Sequence, residues 1–96
     1  MIAKEAVKRA KEELLRLVED ENPSNIGLEE IEYDRTHGVW HVTIGFSRPW
    51  NTVRNAFTAI SGEPATKRAY RKIDLSDSDG TLLAMKRVSF NLDSDA

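Results

Sequence analysis

The chain carries two histidines, His37 and His41, and no cysteine. Two imidazoles four residues apart on a helix share one face and can hold a metal or act as an acid–base pair. Across a turn and into a strand, the same spacing separates them by roughly 13 Å at about 3.3 Å per residue. His41 also falls on the strand face opposite Trp40 and Val42. The reading is therefore a turn histidine and a strand-surface histidine, with no shared metal and no Ser, Asp or second base legible around them. Asp77-Ser78-Asp79-Gly80 has the look of a calcium loop. Such a loop needs a polar ligand at position 75 and a glutamate at 86, where this chain has Leu75 and Lys86, so the stretch reads as a turn. Gly38, Gly45 and Gly62 are isolated and form no phosphate loop; Gly45, inside a strand, marks close packing by the helix or a bend. Without cysteine there are no disulfides, thiolate zinc sites, iron–sulfur clusters or cysteine nucleophiles. No catalytic, cofactor-binding or metal-ligating residue is assigned, and the chain reads as non-enzymatic.

Charge is the more informative pattern. From Glu19 to Asp34 there are seven acids and no base; from Arg35 to Ile73 there are seven bases and one acid, Glu63. Charge asymmetry on this scale can steer a partner or organise a two-fold dimer. It can also arise from solvated strand faces that partly neutralise each other across a sheet. Trp50 follows Arg48-Pro49, and an exposed tryptophan beside arginine is a common composition for an interface hot spot. The alternative places Trp50 as a cap on the sheet core. The candidate protein-binding residues are thus Glu29, Glu30, Glu32 and Asp34 on one side, and Arg48, Trp50 and Arg54 on the other.

The elements that must position these residues follow from periodicity. Over residues 2–21, Ala6, Ala10, Leu14 and Leu17/Val18 recur at three- to four-residue steps, with Ile2, Ala3, Val7 and Leu15 widening the stripe. That predicts one amphipathic helix, with Lys8, Arg9, Lys11, Glu12, Glu13 and Arg16 facing solvent and with Lys8–Glu12 and Glu12–Arg16 as charge pairs. Asn22-Pro23 stops it. Residues 28–34 alternate with Ile31 and Tyr33 on one face and Glu30, Glu32 and Asp34 on the other. Residues 39–47 alternate with Trp40, Val42, Ile44 and Phe46 inward, and Thr36-His37-Gly38 joins the two runs into a hairpin. A second hairpin spans 67–75 and 81–90 around the Asp79-Gly80 turn. Its apolar parity shifts once in each strand, which predicts bulges or two-sided burial. Between the hairpins, Val53, Phe57 and Ile60 lie at helical steps, giving a short helix at about 50–60, with a long mobile hairpin loop as the alternative. Helix and sheets each have one apolar face, so the expected fold is α+β: an N-terminal helix packed on a four-stranded antiparallel sheet. Residues 1–90 form the single domain and 91–96 a frayed tail.

A long amphipathic helix followed by an antiparallel meander resembles the cystatin-like and PepSY-like small domains. The residues that carry the resemblance are Tyr33, Val39-Trp40-His41-Val42-Thr43-Ile44-Gly45-Phe46 and Tyr70-Arg71-Lys72-Ile73-Asp74-Leu75, followed by Asp79-Gly80 and Leu82-Leu83-Ala84-Met85-Lys86. The resemblance implies a binding or inhibitory fold. It departs from the cystatin inhibitors, whose inhibitory hairpin is of a Gln-Val-Gly type, because this chain has no glutamine. PepSY-type domains are commonly exported or membrane-attached, whereas Met1-Ile2-Ala3-Lys4-Glu5 opens no apolar leader.

With 96 residues, 40% apolar and 31% charged, the composition is that of one soluble globular domain, expected in the cytoplasm. A net charge of −2 gives no general attraction to nucleic acid. The resulting expectation is a protein-binding module, inhibitory, regulatory or immunity-type, with a protein partner or a second copy of itself as occupant and no membrane contact. A small-ligand domain between helix and sheet is the alternative. Single-stranded nucleic-acid binding through the basic 48–72 segment ranks below both.

Overall fold

The structure is a computed structural model, and it describes residues 1–49, 52–53, 65–66 and 68–89. Helix α1 runs over Ala3–Val18 and tightens into a 3-10 turn at Glu19–Glu21. Asn22 ends it in the left-handed conformation (φ 55°), its N–H returning to the Glu19 carbonyl. Asparagine tolerates this region better than most residues, and Pro23 prevents the helix from resuming.

Strands β1 (Ser24–Asp34), β2 (Val39–Ser47), β5 (Ala69–Ser76) and β6 (Leu82–Arg87) form one antiparallel sheet in the order β1-β2-β5-β6. This is the expected α+β arrangement of one helix on four strands. Between β2 and β5, Thr52–Val53 (β3) pairs with Ala65–Thr66 (β4). The part of the expected 50–60 helix that falls on Thr52 and Val53 is therefore strand, as suits two β-branched residues. The rest of that segment and the 91–96 tail lie outside the described residues.

The core lies between α1 and the sheet. Ala6, Ala10, Leu14 and Val18 from the helix meet Val42, Ile44, Phe46, Ala69, Ile73 and Leu75 from β2 and β5. Alanines at 6 and 10 keep the helix close to the sheet, while the larger buried side chains each contribute roughly 1.5–3 kcal/mol. Leu14 is fully buried, whereas Leu17, on the same broad stripe, stays 45% exposed. Glu13 departs from the expected solvent face: it is only 4% exposed and is held by Arg9 (2.9 Å) and Arg16 (2.6 Å). Among the described residues these pairs stand in place of the expected Lys8–Glu12 and Glu12–Arg16 pairs, because a buried carboxylate must be paired while exposed Glu12 is hydrated by solvent.

Of the two expected parity shifts, only the one in β6 is present among the described residues: Leu83 is the extra residue between the Asp74–Ala84 and Leu75–Leu82 pairs, whereas β5 keeps one parity and pairs with β2 without a shift. The shift in β6 turns Leu82 onto the core and leaves Leu83 54% exposed. No helix among the described residues is long and apolar enough to cross a membrane.

Candidate functional site

The sheet face turned away from α1 is set by β2. Val42, Ile44 and Phe46 point to the helix, so His41, Thr43, Gly45 and Ser47 point the other way. Pairing extends these positions into rows across the strands. Glu32–His41–Asp74–Ala84 is one row and Glu30–Thr43–Lys72–Lys86 the next. The second row runs from acid at one sheet edge to base at the other.

The structure divides the four acids of the expected contact surface. Asp34 is committed to the first turn: Oδ1 accepts the N–H groups of Thr36 (3.0 Å) and His37 (3.2 Å), and Oδ2 lies 2.8 Å from His37 Nδ1. The His37 hydrogen bond, chiefly, holds the Asp34 carboxyl below its ordinary value. Glu29 turns over β2 towards Arg68, with 3.6 Å between Oε1 and Nη2. Glu30 and Glu32 are exposed and have no ion-pair partner among the described residues. They sit on β1, an edge strand of the sheet formed by the described residues.

The basic candidates also divide. Arg48 lies against the Phe46 ring, 5.8 Å from its centroid, and pairs with Glu21 at 3.3 Å. It is thus on the α1 side, apart from Glu30 and Glu32. Trp50 and Arg54 lie outside the described residues. The two ion pairs Glu21–Arg48 and Glu29–Arg68 tie the acidic segment to the basic one, so part of the charge asymmetry is neutralised within the fold.

Gly45 does not face the helix. Gly27 and Gly45 are register partners, and the Arg68 side chain crosses this glycine trough to donate to the Asn25 carbonyl at 2.8 Å. A Cβ on Gly45 would stand 2.7 Å from Glu29 Oε1 and 3.0 Å from both Arg68 Nη2 and Tyr70 Cε1. Close approach of these side chains is what glycine permits here.

The two histidines each take a separate aspartate. His41 Nδ1–H donates to Asp74 Oδ1 at 2.6 Å, a cross-strand contact between register partners. Asp74 lies 33 residues away, and only the strand pairing could reveal it. Among the described residues no group of three or more His, Cys, Asp or Glu is arranged to hold a metal ion.

Asp77, read from sequence as a turn residue, joins three parts of the molecule. Its carboxylate accepts from Trp40 Nε1 (2.7 Å) and Tyr33 Oη (3.4 Å) and pairs with the N-terminal ammonium (3.2 Å). The Trp40 hydrogen bond first, and the ammonium second, hold Asp77 below the usual carboxylate range. Desolvation, followed by the Asp77 charge, pushes the Tyr33 phenol upward. The Tyr33 and Trp40 rings are in contact, with centroids 4.7 Å apart and planes tilted by 36°.

Comparison with protein-family models, with curated proteins and with solved structures finds no match to this chain.

Proposed function

We propose that this chain is a non-enzymatic protein-binding module of the cystatin-like and PepSY-like kind, acting as an inhibitor, regulator or immunity-type protein on a basic partner. One observation carries the reading: Glu30 and Glu32 are exposed and without ion-pair partners among the described residues, on the edge strand β1. An edge strand offers backbone donors and acceptors to an extended segment. Two glutamates spaced by two residues select lysines or arginines at alternate positions of that segment. Fold alone does not assign the activity, so the proposal rests on these side chains.

The test is a tagged pull-down from the native host at low and high salt, comparing the parent chain with a Glu30→Lys, Glu32→Lys variant. The expected result is one stoichiometric protein held by the parent at low salt, released at high salt and lost with the variant. Hydrogen exchange on the purified complex should then slow at β1 amides. Equal retention of the partner by the variant would remove this site.

A second reading is self-association, favoured by the Glu30–Thr43–Lys72–Lys86 row. A two-fold axis parallel to the strands sets the acidic edge of one copy over the basic edge of the other. It predicts a dimer at low salt that the same charge reversal and high salt both convert to monomer in sedimentation velocity.

A further inference from the structure

The cations of the second hairpin stand opposite one another. Arg71 of β5 pairs in register with Arg87 of β6, and Lys72 pairs with Lys86. Alternation puts the arginines on the α1 side and the lysines on the other face. Like charges directly opposite each other in an antiparallel pair are unfavourable, so this arrangement does not stabilise the hairpin by itself.

The arginine pair is embedded in a larger cluster. The Arg71 guanidinium carbon lies 5.5 Å from the Phe46 centroid, and that of Arg48 lies 5.8 Å from the same centroid. Phe46 is fully buried, so its ring is a fixed surface for both. Burial first, then Arg48 and Arg87, push Arg71 below the ordinary arginine range, while Glu21 acts in the opposite sense. Glu21 is ion-paired with Arg48. Arg71 donates to the carbonyl of its neighbour Tyr70 at 3.0 Å, and among the described residues no carboxylate pairs with Arg71 or Arg87. Among the described residues, three arginines and one carboxylate leave two positive charges at one end of the helix–sheet interface.

We propose that Arg71 and Arg87, flanked by Arg48, bind a phosphate-type oxyanion on the α1 side of the sheet. The planar fork of guanidinium donors matches phosphate oxygens, and a phosphate group carries about −1.5 to −2 at pH 7, which offsets the cluster's excess. The ring beneath Arg48 and Arg71 restricts their motion before the anion arrives. This inference goes beyond the acidic-edge reading and does not depend on it. The anion can be free phosphate or the phosphate group of a small ester, and the experiment separates them.

The experiment measures melting temperature and calorimetric binding of the full chain with inorganic phosphate, with phenyl phosphate, and with chloride at matched ionic strength. The expected result is a saturable rise in melting temperature with one or both phosphates and none with chloride. A lower dissociation constant for phenyl phosphate assigns the ester; equal or weaker binding assigns free phosphate. Arg87→Gln, at an exposed position, should weaken phosphate binding at least tenfold while leaving the chloride melting temperature equal or higher, because a like-charge contact is removed. A phosphate response in Arg87→Gln equal to the parent's would overturn the proposal, since it would then be a general effect of phosphate on folding. So would the absence of a phosphate-specific response.

Discussion

Trp40 Nε1 donates to Asp77 Oδ1 at 2.7 Å, joining the β1–β2 hairpin to the β5–β6 turn across 37 residues of chain. The N-terminal ammonium reaches the same oxygen at 3.2 Å, so the start of α1 is anchored there as well. Arg9 adds a second tie, donating to the Gly80 carbonyl at 3.2 Å. One end of the molecule is thus closed by polar contacts while the middle is closed by the apolar core.

Acid should loosen this end first. Asp77, Asp34 and Asp79 are all held below their ordinary values, chiefly by hydrogen bonds from Trp40, His37 and Thr81 respectively. A carboxyl with a depressed folded-state value contributes stability above its unfolded value, about 3.9, and loses it as pH falls through the folded value. Melting temperature should therefore decline below about pH 4. Asp77→Asn should melt lower than the parent at pH 7, and the two curves should converge at the acidic end of a pH 2–7 thermal series.

Two leucines of the helical stripe should behave differently. Leu14→Ala opens a cavity at a fully buried position and should cost about 2–5 kcal/mol in urea unfolding. Leu17→Ala, at a position 45% exposed, should cost less than about 1 kcal/mol. Equal losses would show that the helix packs on the sheet in a different rotation.

Glu13 offers a test of buried charge. Its two arginines are 42% and 63% exposed and can rehydrate if the carboxylate is removed. A leucine there would extend the apolar stripe of Ala6, Ala10 and Leu14. Glu13→Leu should stay within about 1 kcal/mol of the parent in urea unfolding, the usual outcome when a buried ion pair is replaced by an apolar group of similar size. A large loss would show that the pair itself holds the helix in place.

The glycine trough should resist filling. Gly45→Val places new atoms where Glu29, Arg68 and Tyr70 converge and should cost about 1–3 kcal/mol. Part of that cost should vanish when Arg68→Ala is made in the same chain, because Glu29 is then released from its ion pair and can turn away; a double-mutant cycle in urea reads this non-additivity directly. Strict additivity would mean that Arg68 does not occupy the trough in solution.

Periodicity alone placed α1, β2, the two hairpins and the Asp79-Gly80 turn, because alternation and three-to-four spacing are local consequences of backbone geometry. The same local signal set Val42, Ile44 and Phe46 inward together with Ala6, Ala10 and Leu14. It also showed seven acids preceding a basic stretch. It could not show that Glu29 reaches Arg68, that Glu21 reaches Arg48, or that Glu30 and Glu32 stay outside both pairs. The periodicity puts Glu13 in solvent because a helical wheel does not say where the sheet ends or which cations can turn back to a buried carboxylate. His41–Asp74, Arg71–Arg87 and Trp40–Asp77 exist only through strand pairing and turn placement. Those contacts join residues far apart in the chain, and their geometry depends on register, which is fixed when the sheet closes over its core.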